Sequence, residues 1–373
     1  MKAFGVGCLH FSSKGGTEKE ITVQEYIDEV RSSLERLSNV SDVEIFFDEN
    51  VKEEKVDISE STHMNDGDPC HPHIPLFELS FSLYLPRRVQ GEVINREQEF
   101  LGTNTDNFRI IFKHDWHGPF TIVECVGAGK DSSPSTAIQI VREYLKREID
   151  SSNGILKFDF VGPSPFHASF FLSHCEQKEY GGSSNFELTH EKLPGYDNLK
   201  FEYQKSKFES EDIAFQSLIY ELSGEIAFFY ELKTMSSRRI YSWAGIQNNL
   251  HNLLEVEDEG YKKTLSDRFL KKPRILNDLN REIGIFKGQE IFDKNIRDQH
   301  YFNIYKSEKH NIYLKHFIDA TLDNWTSFPI KETSEIVSYF EGRSNKSLEL
   351  TVIFFAAVLG GAVGAAITVL FGG

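Results

Sequence analysis

The stretch Leu76-Phe-Glu-Leu-Ser-Phe-Ser-Leu-Tyr-Leu85 decides the fold class. Phe77, Leu79, Phe81, Leu83 and Leu85 alternate with Glu78, Ser80, Ser82 and Tyr84, the period of two expected of a half-buried strand. Working outward, further strands are expected at Ala3 to Phe11, Val43 to Phe47, Phe108 to Lys113, Thr121 to Val126, Leu156 to Val161 and His167 to Leu172. Two helices interrupt them. Thr22-Val-Gln-Glu25 is a capping box opening a helix with Val23, Ile27, Val30, Leu34 and Leu37 at helical spacing. Pro134 opens a second, Ser135 to Ile149, with Ile138, Val141, Leu145 and Ile149 on one face.

Strand neighbours of hairpin type outnumber helical crossovers, which predicts an α/β or α+β domain with a mixed or largely antiparallel sheet over residues 1–178. Residues 179–208, with the turn-rich Tyr180-Gly-Gly-Ser-Ser-Asn185, are expected to connect it to a helical domain over 209–346. There, helical periodicity marks Ile213 to Leu232, Arg239 to Val256, Tyr261 to Leu270, Ile275 to Phe286, Ile291 to Tyr305, Ile312 to Leu322 and Glu332 to Phe340. The acidic, polar segment Glu49 to Pro69 is expected to be disordered. The fold class is therefore α+β, with a mixed-sheet α/β N-terminal domain, then an all-α domain and one C-terminal transmembrane helix over 347–373.

That last element is the most legible feature of the chain. Leu348 to Phe371 is an apolar run whose one charge is Glu349. At about 1.5 Å per residue it reaches about 36 Å, enough for a hydrocarbon core of about 30 Å. A helix buried in a protein core rarely sustains such a run. Arg343 and Lys346 precede it and only Gly372 and Gly373 follow, so the positive-inside rule keeps the N-terminal bulk in the cytoplasm. Ala3 to Leu9 is too short for a signal-peptide core, and Cys8, Cys70, Cys125 and Cys175 are dispersed as reduced thiols would be. Within the apolar run, Ala356, Gly360, Gly364 and Thr368 form one stripe, and Ala357, Gly361 and Ala365 a second beside it. Small-residue stripes let helix backbones approach in lipid, which predicts self-association; a pore would need about four or more copies.

Composition narrows the partners. A formal net charge of −16 argues against general DNA binding, which needs a broad positive field. The 31 Phe and 14 Tyr fall mostly in apolar patterns and read as core rather than as a stacking surface for bases. No dinucleotide-binding glycine motif, kinase set, His-Glu-x-x-His or Gly-x-Ser-x-Gly is found, so no cofactor is predicted and a non-enzymatic role is favoured.

Three places carry residue types suited to chemistry. In His114-Asp-Trp-His117, an extended backbone would put Asp115 and His117 on one face, where a carboxylate can orient an imidazole base. Gly127-Ala-Gly-Lys130 lies between a strand and a helix, a setting for an anion held by backbone amides. Arg142 and Lys146 could complete such a pocket, or simply solvate a helix face. Asp68-Pro-Cys-His-Pro-His73 supplies Asp68, Cys70, His71 and His73, all metal-ligand types, but at a spacing that matches no closed zinc module, so it reads as a polar loop before the Leu76 strand rather than as a metal site. The basic clusters Arg238-Arg239 and Lys271-Lys-Pro-Arg274 could meet lipid head groups or keep helices soluble.

In layout alone, a cytosolic module ahead of a self-associating membrane helix resembles the membrane effectors of bacterial anti-phage systems of the CBASS and Hailong types. The resemblance implies an oligomeric, pore-forming or membrane-disrupting protein of the bacterial inner membrane, single-pass, gated by a nucleotide or short oligonucleotide on its cytosolic part. A tail-anchored adaptor binding a protein partner and a membrane-anchored hydrolase using Asp115, His117 or the residues around Cys70 are the alternatives. The apolar run makes one prediction: the full chain stays with membranes through an alkaline wash, and a chain shortened to end at Lys346 is released. Release of both would show that the run is not inserted.

Overall fold

The computed structural model describes residues 1–14, 20–58, 77–115, 117–160, 166–175, 184–258, 271–306, 312–343 and 346. The strands are β1 (Lys2–Gly7), β2 (Leu9–Ser13), β3 (Glu20–Thr22), β4 (Val40–Phe46), β5 (Lys55–Asp57), β6 (Glu78–Tyr84), β7 (Asn107–Asp115), β8 (Gly118–Cys125), β9 (Leu156–Phe160), β10 (Ala168–Cys175), β11 (Phe186–Glu191) and β12 (Asp197–Gln204). The helices are α1 (Val23–Glu35), α2 (Arg87–Ile94), α3 (Pro134–Ser151), α4 (Glu211–Asp258), α5 (Lys272–Tyr305), α6 (Lys315–Asp323) and α7 (330–343). A mixed α/β sheet region followed by a helical region is thus observed.

Eight strands form one sheet in the order β11-β12-β10-β1-β8-β7-β6-β4, antiparallel throughout except where β10 pairs with β12. The quoted stretch behaves as its alternation requires: Phe77, Leu79, Phe81, Leu83 and Leu85 are all buried in the core shared with α1 and α3. Helix α1 starts on the expected capping box, with Thr22 Oγ1 accepting from Glu25 N at 3.2 Å and Glu25 Oε2 accepting from Thr22 N at 2.9 Å.

Strand β1 divides the two faces of this sheet. Ala3 belongs to the core beneath α1 and α3, while Phe4 and Val6 point into a second core built with α4 and α6. Gly5 and Gly7 face α3: a Cβ on Gly5 would stand 2.5 Å from the Pro134 carbonyl oxygen, and one on Gly7 2.9 Å from Ile138 Cγ2. Small residues on one side let the helix lie close; large ones on the other fill the opposite layer. Phe4 there meets Phe170 at 5.3 Å and Phe215 at 5.2 Å between ring centroids, and a fully buried Phe contributes about 1.5–3 kcal/mol.

Several expectations are corrected. Ala3 to Phe11 is two strands in two sheets, because β2 leaves to pair with β9 after Cys8. Residues 179–208 do not simply connect domains, since they supply β11 and β12 to the same sheet. Part of the segment expected to be disordered is ordered: Glu49–Val51 forms a 3-10 turn and β5 pairs with β3. The helices expected at Ile213 to Leu232 and Arg239 to Val256 are one helix, α4, since Lys233 to Arg238 between them contains neither Gly nor Pro. Those expected at Ile275 to Phe286 and Ile291 to Tyr305 likewise merge in α5, where Gly288 costs about 1 kcal/mol without breaking the turn.

The boundary near residue 209 is also displaced. The chain divides into two compact units, Met1–Arg238 with Ile296–Trp325, and Arg239–Asn295 with Thr326–Gly373. Within the first, the initial part of α4 packs on the sheet. Within the second, Ile246, Leu253, Leu276, Leu279, Ile283, Phe286 and Val337 make a separate helical core. Among the described residues no helix is long and apolar enough to cross a membrane. Leu348 to Phe371, with both small-residue stripes, lies outside the described residues, as does the helix expected at Tyr261 to Leu270.

A buried carboxylate fixes α6 to α4. Glu225, 3% exposed, accepts hydrogen bonds from Tyr313 N at 2.9 Å, Leu314 N at 3.0 Å and the Tyr305 hydroxyl at 3.0 Å. Burial pushes its carboxyl above the ordinary range, more than these donors pull it back.

Two predictions follow from this packing. Gly5→Ala costs about 1–3 kcal/mol in urea unfolding, whereas Gly129→Ala, with open space around it, stays within about 0.5 kcal/mol. Equal effects would mean α3 does not press on β1. For Glu225, a raised folded pKa means the fold favours the neutral carboxyl, so its contribution is full at acid pH and is lost as pH rises from 4.5 through the raised value. Wild type should therefore lose stability relative to Glu225→Gln over that window; an opposite slope refutes the assignment.

Candidate functional site

Strand β7 ends at Asp115 and β8 begins at Gly118, whose φ of 117° is a backbone conformation that suits glycine, so His117 stands in the connection between them. The strand-like alternation expected to pair Asp115 with His117 therefore does not extend to residue 117, and the side chain of Asp115 lies outside what is described. His117 instead turns toward two helices. Its Nδ1 lies 3.1 Å from Nδ1 of His300 on α5 and 3.6 Å from Glu231 Oε2 on α4, and His300 Nδ1 is 2.7 Å from the same carboxylate oxygen.

These three side chains come from the β7–β8 connection, α4 and α5, all within the first unit. They are 11%, 18% and 23% exposed for His117, Glu231 and His300 respectively. The Phe228 ring, one turn before Glu231, lies 5.8 Å from the His117 ring and 6.3 Å from that of His300 and closes one side of the cluster. Burial alone would push the Glu231 carboxyl up. Its hydrogen bonds and charge interactions with the two imidazoles outweigh this and hold it below the usual carboxylate range, so it is ionised at neutral pH. The arrangement can share protons between two imidazoles and a carboxylate, or it can present three lone pairs to a cation.

Glu231 and His300 escape local sequence reasoning because they lie far from His117 in the chain and belong to no motif. A signal existed nonetheless: Glu231 directly follows the apolar run Ile226-Ala-Phe-Phe-Tyr230, where a charge needs a partner.

A second polar region opens where the sheet meets the first turn of α4. Lys2, Asp42, Glu44, Ser80, Ser82, Arg109, Glu124 and Asp212 line a groove of about 380 Å³. Lys2 Nζ bridges Glu124 at 2.5 Å and Asp212 at 2.9 Å. Burial would lower its pKa, but these two carboxylates raise it on balance. Four carboxylates against two cations make this groove unsuited to a phosphate.

The anion pocket expected around Gly127, Gly129 and Lys130 is not assembled. Gly127 takes a φ of 73° in the turn after β8, and Pro134, which has no amide hydrogen, opens α3. Arg142 and Lys146 lie eight and twelve residues further on, about 12 and 18 Å along the helix axis. Arg142 is paired with Glu143 and stacked over Phe160; Lys146 is paired with Asp150. They are thus too far along α3, and too occupied, to meet the glycine loop. Arg239 is no lipid contact either: it is 3% exposed, pairs with Glu290, donates to the Thr326 carbonyl at 2.8 Å and covers the Phe328 ring. Asp68, Cys70, His71 and His73 lie outside the described residues. Comparison with known protein families, with curated proteins and with solved structures finds no match to this chain.

Proposed function

We propose that this protein is a membrane effector that acts through a self-associating helix at Leu348 to Phe371, under the control of the sheet-bearing unit. The apolar run and its two small-residue stripes carry this proposal. The helical architecture supports it. Both α4 and α5 contribute residues to the sheet-bearing unit and to the second unit, and α7 in that second unit leads toward the apolar run. A ligand that binds two arrangements of the first unit unequally would bias helices that continue into the second. In the anti-phage systems whose layout this chain resembles, that ligand would be a nucleotide or short oligonucleotide, and the outcome loss of the inner-membrane barrier.

Expression in bacteria tests the proposal. The full chain is expected to depolarise the membrane and arrest growth once triggered or overproduced. The Gly360→Leu, Gly364→Leu double variant and the chain ending at Lys346 are expected to do neither. Growth arrest by the shortened chain would eliminate membrane permeabilisation as the mode of action.

A further inference from the structure

We propose that His117, Glu231 and His300 form a binding site for one divalent transition-metal ion, with zinc the best match to the donor set. This goes beyond the membrane role and does not depend on it. The geometry is the starting point. Three potential ligand atoms, His117 Nδ1, His300 Nδ1 and Glu231 Oε2, stand 2.7, 3.1 and 3.6 Å from one another, converging from three separate elements. Zinc bonds of about 2.0–2.2 Å at tetrahedral angles place donor atoms about 3.3 Å apart, and a six-coordinate ion brings them to about 3.0 Å. The observed triangle brackets both values.

Protons alone satisfy this arrangement poorly. With the proton of His300 Nδ1 directed to Glu231 Oε2 at 2.7 Å, His117 Nδ1 stands 3.1 Å from a nitrogen whose proton is already engaged and 3.6 Å from the carboxylate, too long for a good hydrogen bond. A cation answers all three at once. The donor chemistry also discriminates among ions: two imidazoles and one carboxylate suit zinc and the neighbouring first-row ions, whereas calcium and magnesium prefer six or more oxygens. With the three side chains 11–23% exposed and Phe228 against both imidazoles, the ion would be largely shielded from solvent and would tie the β7–β8 connection to α4 and α5.

The test uses the full chain purified in detergent, stripped with chelator and titrated with zinc chloride. Wild type is expected to bind one ion per chain with high affinity, to gain thermal stability from it, and to give the visible absorption of a low-symmetry site when loaded with cobalt(II). Glu231→Gln, which keeps the shape and one hydrogen-bonding oxygen, and His300→Ala are expected to bind at least about 10-fold more weakly and to lose the thermal gain. A variant replacing Cys70, His71 and His73 by Ala is expected to retain the ion. The proposal is overturned if wild type takes up no zinc, if the Glu231 and His300 variants bind as wild type does, or if the ion is lost with the 70–73 substitutions instead. Because binding is read on purified protein and membrane damage in cells, failure of one leaves the other standing.

Discussion

Burial of the central sheet on both faces is the constraint on which the rest of the first unit depends. A strand in that position must present a different size of side chain to each side, and β1 does so within five residues. Ala3, Gly5 and Gly7 keep the α3 side thin; Phe4 and Val6 fill the α4 side. The contact of Gly5 with the first turn of α3 leaves no room for a Cβ, so helix and strand approach as closely as their backbones permit. β8 and β10 pair antiparallel with β1 on either side, and the β7–β8 connection brings His117 beside Glu231 of α4.

The layer formed by α4 and the last part of α5 is unusual in the polar groups it encloses. Glu225 and Glu231 lie on the same apolar stretch of α4, six residues apart, and meet different fates. Glu225 is met by backbone amides and a tyrosine hydroxyl, groups that carry no full charge, and burial raises its carboxyl above the ordinary range. Glu231 meets two imidazoles and is held ionised. An isolated carboxylate in such a layer would cost several kcal/mol, so each must be matched by its own set of donors. The first set fixes the start of α6. The second gathers His117 and His300 around one oxygen, which makes it the most chemically capable cluster among the described residues.

Residue patterns of short range made much of this legible. Alternation in 76–85, the Thr22 capping box and the spacing of Ile138, Val141, Leu145 and Ile149 all report local geometry, and the corresponding elements form where expected. Errors cluster where the deciding partner is distant. Strands β11 and β12 lie in a polar, turn-rich stretch and hold their place by pairing with each other and with β10. The break at Cys8, which sends β2 to β9, leaves no mark in the apolar pattern of residues 3–11. His117 is visible as a candidate from its position after a strand, but its contacts with Glu231 and His300 are not, because both lie far away in the chain.

By itself, the sequence determined the elements with a strong local pattern, the strand over 76–85, α1 with its capped start and α3, and the apolar run that underlies the membrane proposal, because each rests on side-chain periodicity or propensity over a few turns. Only the tertiary structure decided which strands share a sheet and that His117 meets Glu231 and His300. Those outcomes depend on pairings between separate stretches of chain, His117 meeting His300 across 183 residues, and no local spacing encodes such a contact.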